Sequence, residues 1–113
     1  MKYIVSLATI ILSASLWSAC SEAHAEKTVS FKVYGNCGMC EKTIEGSLDQ
    51  EGIYSASWDK DTKMVEIAFD SSRYRMEDLH HLIAVSGYDT DLEKAPDAAY
   101  ESLHECCQYE RPL

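Results

Sequence analysis

From Thr28 to Tyr34 the chain alternates apolar and polar residues, with Val29, Phe31 and Val33 on one face and Thr28, Ser30 and Lys32 on the other. That period of two predicts a half-buried strand. Gly35 and Asn36 interrupt it, and from Gly38 the spacing becomes helical. Cys40, Ile44 and Leu48 then fall on one stripe while Glu41, Lys42, Glu45 and Asp49 face water. The helix is expected to fail near Glu51-Gly52. Ile53 to Trp58 and Met64 to Phe69 flank the turn-forming Asp59-Lys60-Asp61-Thr62, and Val65, Ile67 and Phe69 alternate with Glu66 and Ala68. This is a hairpin pattern. A second helix is expected from about Ser72 to Ser86, with Met76, Leu79, Leu82 and Ile83 as its apolar stripe and Gly87 as its stop. Tyr88 to Leu92 supplies a short last strand, weakened by Asp89 and Asp91.

Strand, helix, strand, strand, helix, strand is the split βαβ order. It predicts an α+β chain, a ferredoxin-like βαββαβ sandwich with two helices on one face of a four-stranded antiparallel sheet. Pro96 then opens a C-terminal tail in which Asp97 to Glu105 suits a short helix, because proline is tolerated in a first helical turn. No internal repeat or low-complexity linker interrupts this order.

The chain has 113 residues. Residues 1–25 read as an export signal: Lys2 gives a positive start, Tyr3 to Trp17 an apolar stretch, and small residues follow. The apolar run is shorter than the roughly 20 residues of a membrane span and is broken by serines and a threonine. Leu16-Trp17-Ser18-Ala19-Cys20 resembles a lipoprotein signal ending at Ala19, with Cys20 lipidated, whereas Ala23-His24-Ala25 suits ordinary cleavage before Glu26. Lipidation is preferred because it removes the odd cysteine from an exported protein. The expected organisation is signal 1–25, one domain over 26–95 and a tail over 96–113. A net charge of −9 disfavours nucleic acid, whose phosphates would be repelled, and the expected contact with a membrane is only through a lipid anchor.

The four remaining cysteines form two close pairs, Cys37 with Cys40 and Cys106 with Cys107. They allow three disulfide connectivities or a four-thiolate metal site, and the count alone does not choose. A C-x-x-C pair opening a helix is primed chemically, since first-turn N–H groups and the helix dipole favour the thiolate. Such thiolates can share a soft ion or close into a redox disulfide. The C-x-x-C between first strand and first helix, the element order, and Ser86-Gly87-Tyr88-Asp89 before the last strand resemble the heavy-metal-associated domain over about Lys27 to Lys94. That family includes copper metallochaperones, modules of copper-exporting ATPases and the periplasmic mercury-binding protein. The resemblance implies a non-enzymatic protein that captures Cu(I) or Hg(II) between Cys37 and Cys40; Zn(II) or Cd(II) also accept thiolates, and the leader places the protein in the periplasm or outer envelope. The resemblance further implies transfer of the ion to a metal-transporting membrane protein or another thiolate carrier. Tyr88 matches a tyrosine that copper chaperones carry close to the metal. The family's Met ahead of the first cysteine is replaced here by the Tyr34-Gly35-Asn36 stretch, with Met39 between the cysteines.

The tail lies outside the family pattern, and two readings of it stand side by side: idle or independently paired thiols, or Cys106 and Cys107 folding back to join the site. The second needs a return of about 17–20 Å, one strand length, of which a nine-residue helix supplies about 13 Å. His104 is a candidate auxiliary ligand. His80 and His81, adjacent on the second helix, read as solvated polar-face residues, and Met64 and Met76 as core fillers. The rival function is a thiol-disulfide oxidoreductase with Cys37 as nucleophile and Cys40 as resolving thiol. Its fold would place a cis-proline loop against the motif, but Pro96 and Pro112 both lie in the tail.

Overall fold

The alternation of the first strand becomes a pleat in the computed structural model, which describes residues 25–112. Residues 1–24 of the expected export signal, Cys20 and His24 among them, lie outside the described residues. β1 (Glu26–Lys32) turns Val29 and Phe31 inward, and β3 (Met64–Asp70) turns Val65, Ile67 and Phe69 inward. The two pair antiparallel with Val29 opposite Ile67 and Phe31 opposite Val65, so inward residues face inward residues across the ladder. β2 (Ile53–Trp58) completes the hairpin on the other side of β3, giving the sheet order β1-β3-β2. α1 (Gly38–Ser47) and α2 (Met76–Val85) add Cys40, Ile44, Leu79 and Ile83 to the same core, all fully buried. Each large aliphatic side chain buried in this way stabilises the fold by roughly 1.5–3 kcal/mol. The start of α2 is fixed by the Asp78 carboxylate, which accepts the Arg75 N–H at 2.7 Å. Among the described residues no helix is long and apolar enough to cross a membrane.

Several sequence expectations are corrected. The sheet has three strands among the described residues, and the expected fourth is reduced to one bridge, Val33 with Thr90. Its neighbours still bond to the end of β1, Tyr34 N–H to the Asp89 carbonyl at 2.9 Å and Asp91 N–H to the Lys32 carbonyl at 3.2 Å. The ladder stops there because Thr90 N–H turns to the Glu93 carbonyl and Asp89 is committed elsewhere. His80 is not solvated: it is 1 % exposed, stacked on Phe31 with ring centroids 3.7 Å apart, and its Nδ1 bonds the Thr90 hydroxyl. Of the two, His81 alone faces water, where it pairs with Glu93. Met64 and Met76 are exposed rather than core fillers. Met64 falls on the same outward side of the β3 pleat as Glu66.

The tail packs into the domain. α3 (Asp97–Glu101) is shorter than the expected Asp97 to Glu105 helix, and a 3-10 turn over Glu105–Cys107 follows. Cys107 and Tyr109 belong to the same buried cluster as the sheet and helices. Gly87 has φ +112, and a Cβ there would stand 2.9 Å from the Ala99 carbonyl oxygen, so the chain at the end of α2 can pass under α3 only as glycine.

Candidate metal centre

The site is built where β1 gives way to α1. The exit of β1 is tied down by Val33 N–H to the Lys63 carbonyl and Tyr34 N–H to the Asp89 carbonyl, both 2.9 Å. Gly35 lies beneath the loop against the Trp58 ring: a Cβ would sit 2.9 Å from Trp58 Cζ2 and 3.2 Å from Cys40 Cβ. The ring itself is held by its Nε1–H, which donates to the Val33 carbonyl at 3.0 Å. Cys37 is the N-cap of α1 in extended conformation, and Cys40 lies inside the first turn.

Their sulfurs are 3.9 Å apart. Cys37 is partly exposed and Cys40 fully buried, so one sulfur meets solvent and the other the core. Backbone N–H groups of Cys40 and then Met39 hold the Cys37 thiol below its ordinary pKa, as expected at a helix N-terminus. The Asn36 N–H donates to the Cys40 sulfur at 3.3 Å.

A third sulfur arrives from the tail. The Sγ atoms of Cys37, Cys40 and Cys107 lie within 4.8 Å of one another, and this is the one such group of possible ligands among the described residues. Burial first, and then the Cys40 sulfur, push the Cys107 thiol up to about 12. Cys106 is exposed and stays outside the group, its Sγ 3.5 Å from Met39 Sδ and 3.9 Å from Cys107 Sγ. Its carbonyl, rather than its sulfur, faces the site, accepting from Asn36 Nδ2 at 3.3 Å and lying 3.7 Å from Cys37 Sγ. His104 is exposed and outside the group, its carbonyl accepting the Cys107 N–H at 2.7 Å. Tyr88 is fully buried, and among the described residues its hydroxyl has no hydrogen-bond partner of ordinary geometry. Burial first, then the neighbouring Cys40 and Cys107 side chains, raise its pKa.

The groups that hold the tail in place were not singled out in the sequence. Arg111 grips Asp89 with two nitrogens, Nε to Oδ2 at 2.9 Å and Nη2 to Oδ1 at 2.7 Å, and also donates to the Ala95 carbonyl and to Asp97. The Tyr109 hydroxyl accepts the Asp89 N–H at 2.7 Å and donates to the Gly87 carbonyl at 3.0 Å. The available signal was faint: Arg111 is the sole Lys or Arg in residues 96–113, among several acids.

No protein-family model matches the sequence, and no curated protein does. Solved structures do. A Bacillus anthracis protein named for copper-ion binding is 28% identical over 61% of this chain and 100% of its own, with a TM-score of 0.57. The CopZ metallochaperone is 26% identical over 57% of this chain and 98% of its own, TM-score 0.54. Oxidised MerP from Ralstonia metallidurans CH34 is 25% identical over 59% of this chain and 96% of its own, TM-score 0.56. The chain resembles the heavy-metal-associated domains found in copper chaperones, in MerP and in P-type ATPases.

Proposed function

We propose that this protein is an exported carrier of a thiophilic metal ion, Cu(I) foremost, held by the thiolates of Cys37 and Cys40. The observation that carries the reading is the sulfur pair 3.9 Å apart at the N-terminus of α1, one member partly exposed and the other buried. A soft ion prefers such thiolates, and the first-turn N–H groups that lower the Cys37 pKa favour the charged form it needs. Transfer runs by thiolate exchange. A partner thiol adds to the ion at the exposed Cys37 side, and the original sulfurs leave in turn, so no substrate bond is made or broken. The names of the neighbouring structures, a metallochaperone and a copper-binding domain of a P-type ATPase among them, support a transporter or a second thiolate carrier as the partner. The leader supports export to the periplasm or outer envelope, with Cys20 as the lipid attachment. Buried Tyr88 lies beside the Cys40 and Cys107 sulfurs.

Titration of reduced protein with Cu(I) against a competing chelator tests this. Tight binding of one equivalent is expected in the wild type and its loss in Cys37→Ser with Cys40→Ser. Undiminished binding by that double variant refutes the assignment. Mass spectrometry of the mature N-terminus tests the anchor: a lipidated Cys20 is expected, and a free Glu26 rejects it.

A further inference from the structure

We propose that Cys107, carried in by the C-terminal segment, is the third thiolate of a three-coordinate site for a soft ion; this rests on the reading that Cys37 and Cys40 bind that ion. Metal–sulfur bonds of about 2.3 Å put three sulfurs around a trigonal ion about 4.0 Å apart, and two across a linear ion about 4.6 Å apart. Cys37 and Cys40 stand 3.9 Å apart, close to the trigonal spacing and short of the linear one. Cys107 Sγ lies within 4.8 Å of both, so small side-chain rotations bring it to bonding geometry.

The buried position of Cys107 is enforced by the rest of the tail. Two residues on, Tyr109 is locked to the backbone of Asp89 and Gly87 and stacks on Tyr88 with ring centroids 5.7 Å apart. Tyr100 Oη donates to the Tyr109 carbonyl at 2.6 Å, and Arg111 clamps Asp89 beyond it. The segment is thus pinned on the carboxyl side of Cys107, and the 3-10 turn closed by Cys107 N–H to the His104 carbonyl aims its side chain inward.

A second observation is the Tyr88 hydroxyl, buried beside the Cys40 and Cys107 sulfurs and with no partner of ordinary hydrogen-bond geometry among the described residues. A buried hydroxyl left unpaired is costly, and a thiolate on either neighbouring sulfur supplies the acceptor it lacks. The mutually close ligand atoms are the sulfurs of Cys37, Cys40 and Cys107, while Cys106 is exposed with its Sγ 3.9 Å from Cys107 Sγ. A consequence follows for release: the ion is closed in on the tail side, and a partner must displace Cys107 as well as Cys37.

The test loads the full-length reduced chain anaerobically with one equivalent of Cu(I) and counts bound sulfurs by X-ray absorption. Three are expected in the wild type and in Cys106→Ser, and two in Cys107→Ser. Cys107→Ser should also lose Cu(I) to a chelator faster by on the order of tenfold or more, the scale on which even outer-shell changes weaken metal sites. Two sulfurs in the wild type, three in Cys107→Ser, or loss of the third in Cys106→Ser overturns the assignment while leaving the Cys37 and Cys40 pair standing. A wild type that takes up no Cu(I) overturns both readings. The wild-type count decides the question even if Cys107→Ser fails to fold.

Discussion

Replacing Arg111 by alanine would strip Asp89 of its counter-ion where water cannot replace it. The Asp89 carboxylate is 2 % exposed and the Arg111 side chain 17 %, so the pair is nearly dry. Removing one member of a buried pair costs about 3–5 kcal/mol, because the other charge is left uncompensated. Here Asp89 Oδ1 keeps the Ala95 N–H at 2.7 Å, which places the loss near the lower end, about 3 kcal/mol. The second partner, Asp97, is 77 % exposed and adds little. For a domain of this size each kcal/mol moves the melting temperature by about 4–8 °C, so Arg111→Ala should melt about 12–24 °C below the wild type. Thermal unfolding followed by circular dichroism measures this. A fall of less than about 4 °C would show that the ion pair does not anchor the tail, since it corresponds to under about 1 kcal/mol.

Other consequences follow from the same geometry. Although burial alone would raise it, hydrogen bonds from Arg111 and from the Ala95 N–H hold the Asp89 carboxyl below its ordinary pKa. With the folded pKa below the unfolded one, the stabilisation is complete above about pH 4 and lost as pH falls through the lower folded value. Acid titrations of stability should therefore be shallower below pH 4 for Asp89→Asn than for the wild type; equal slopes would contradict the assignment. Iodoacetamide should alkylate Cys37 with a half-rate pH below the roughly 8.5 of a free thiol, while buried Cys107 resists; equal rates at the two would refute the electrostatic account. Gly35→Ala must push Trp58 Cζ2 from 2.9 Å and should destabilise the domain by about 1–3 kcal/mol in urea unfolding, and a neutral result would mean the loop yields freely.

The elements with strong periodicity were legible in the sequence. β1, the hairpin and the stripe of Cys40, Ile44 and Leu48 appear where alternation and helical spacing put them, because burial on one face dictates both patterns. The last strand was not, since Asp89 and Thr90 serve the tail and His80 rather than a ladder, and a sequence does not reveal such long-range partners. His80 reads as a surface residue until its stacking on Phe31 is seen. In the tail, the pairing of cysteines was visible but not their division of labour. Cys107 turns into the core while Cys106 faces out, a consequence of the 3-10 turn and the Tyr109 anchor. Charge spacing alone could not match Arg111 to an aspartate 22 residues away.

Elemental analysis of protein purified without oxygen, compared with the Cys37→Ser/Cys40→Ser variant prepared in parallel, probes the central claim most directly. The account predicts about one equivalent of a thiophilic ion in the first preparation, or its uptake on adding Cu(I), and none in the second. Fully reduced wild-type protein that neither carries nor accepts such an ion would contradict it.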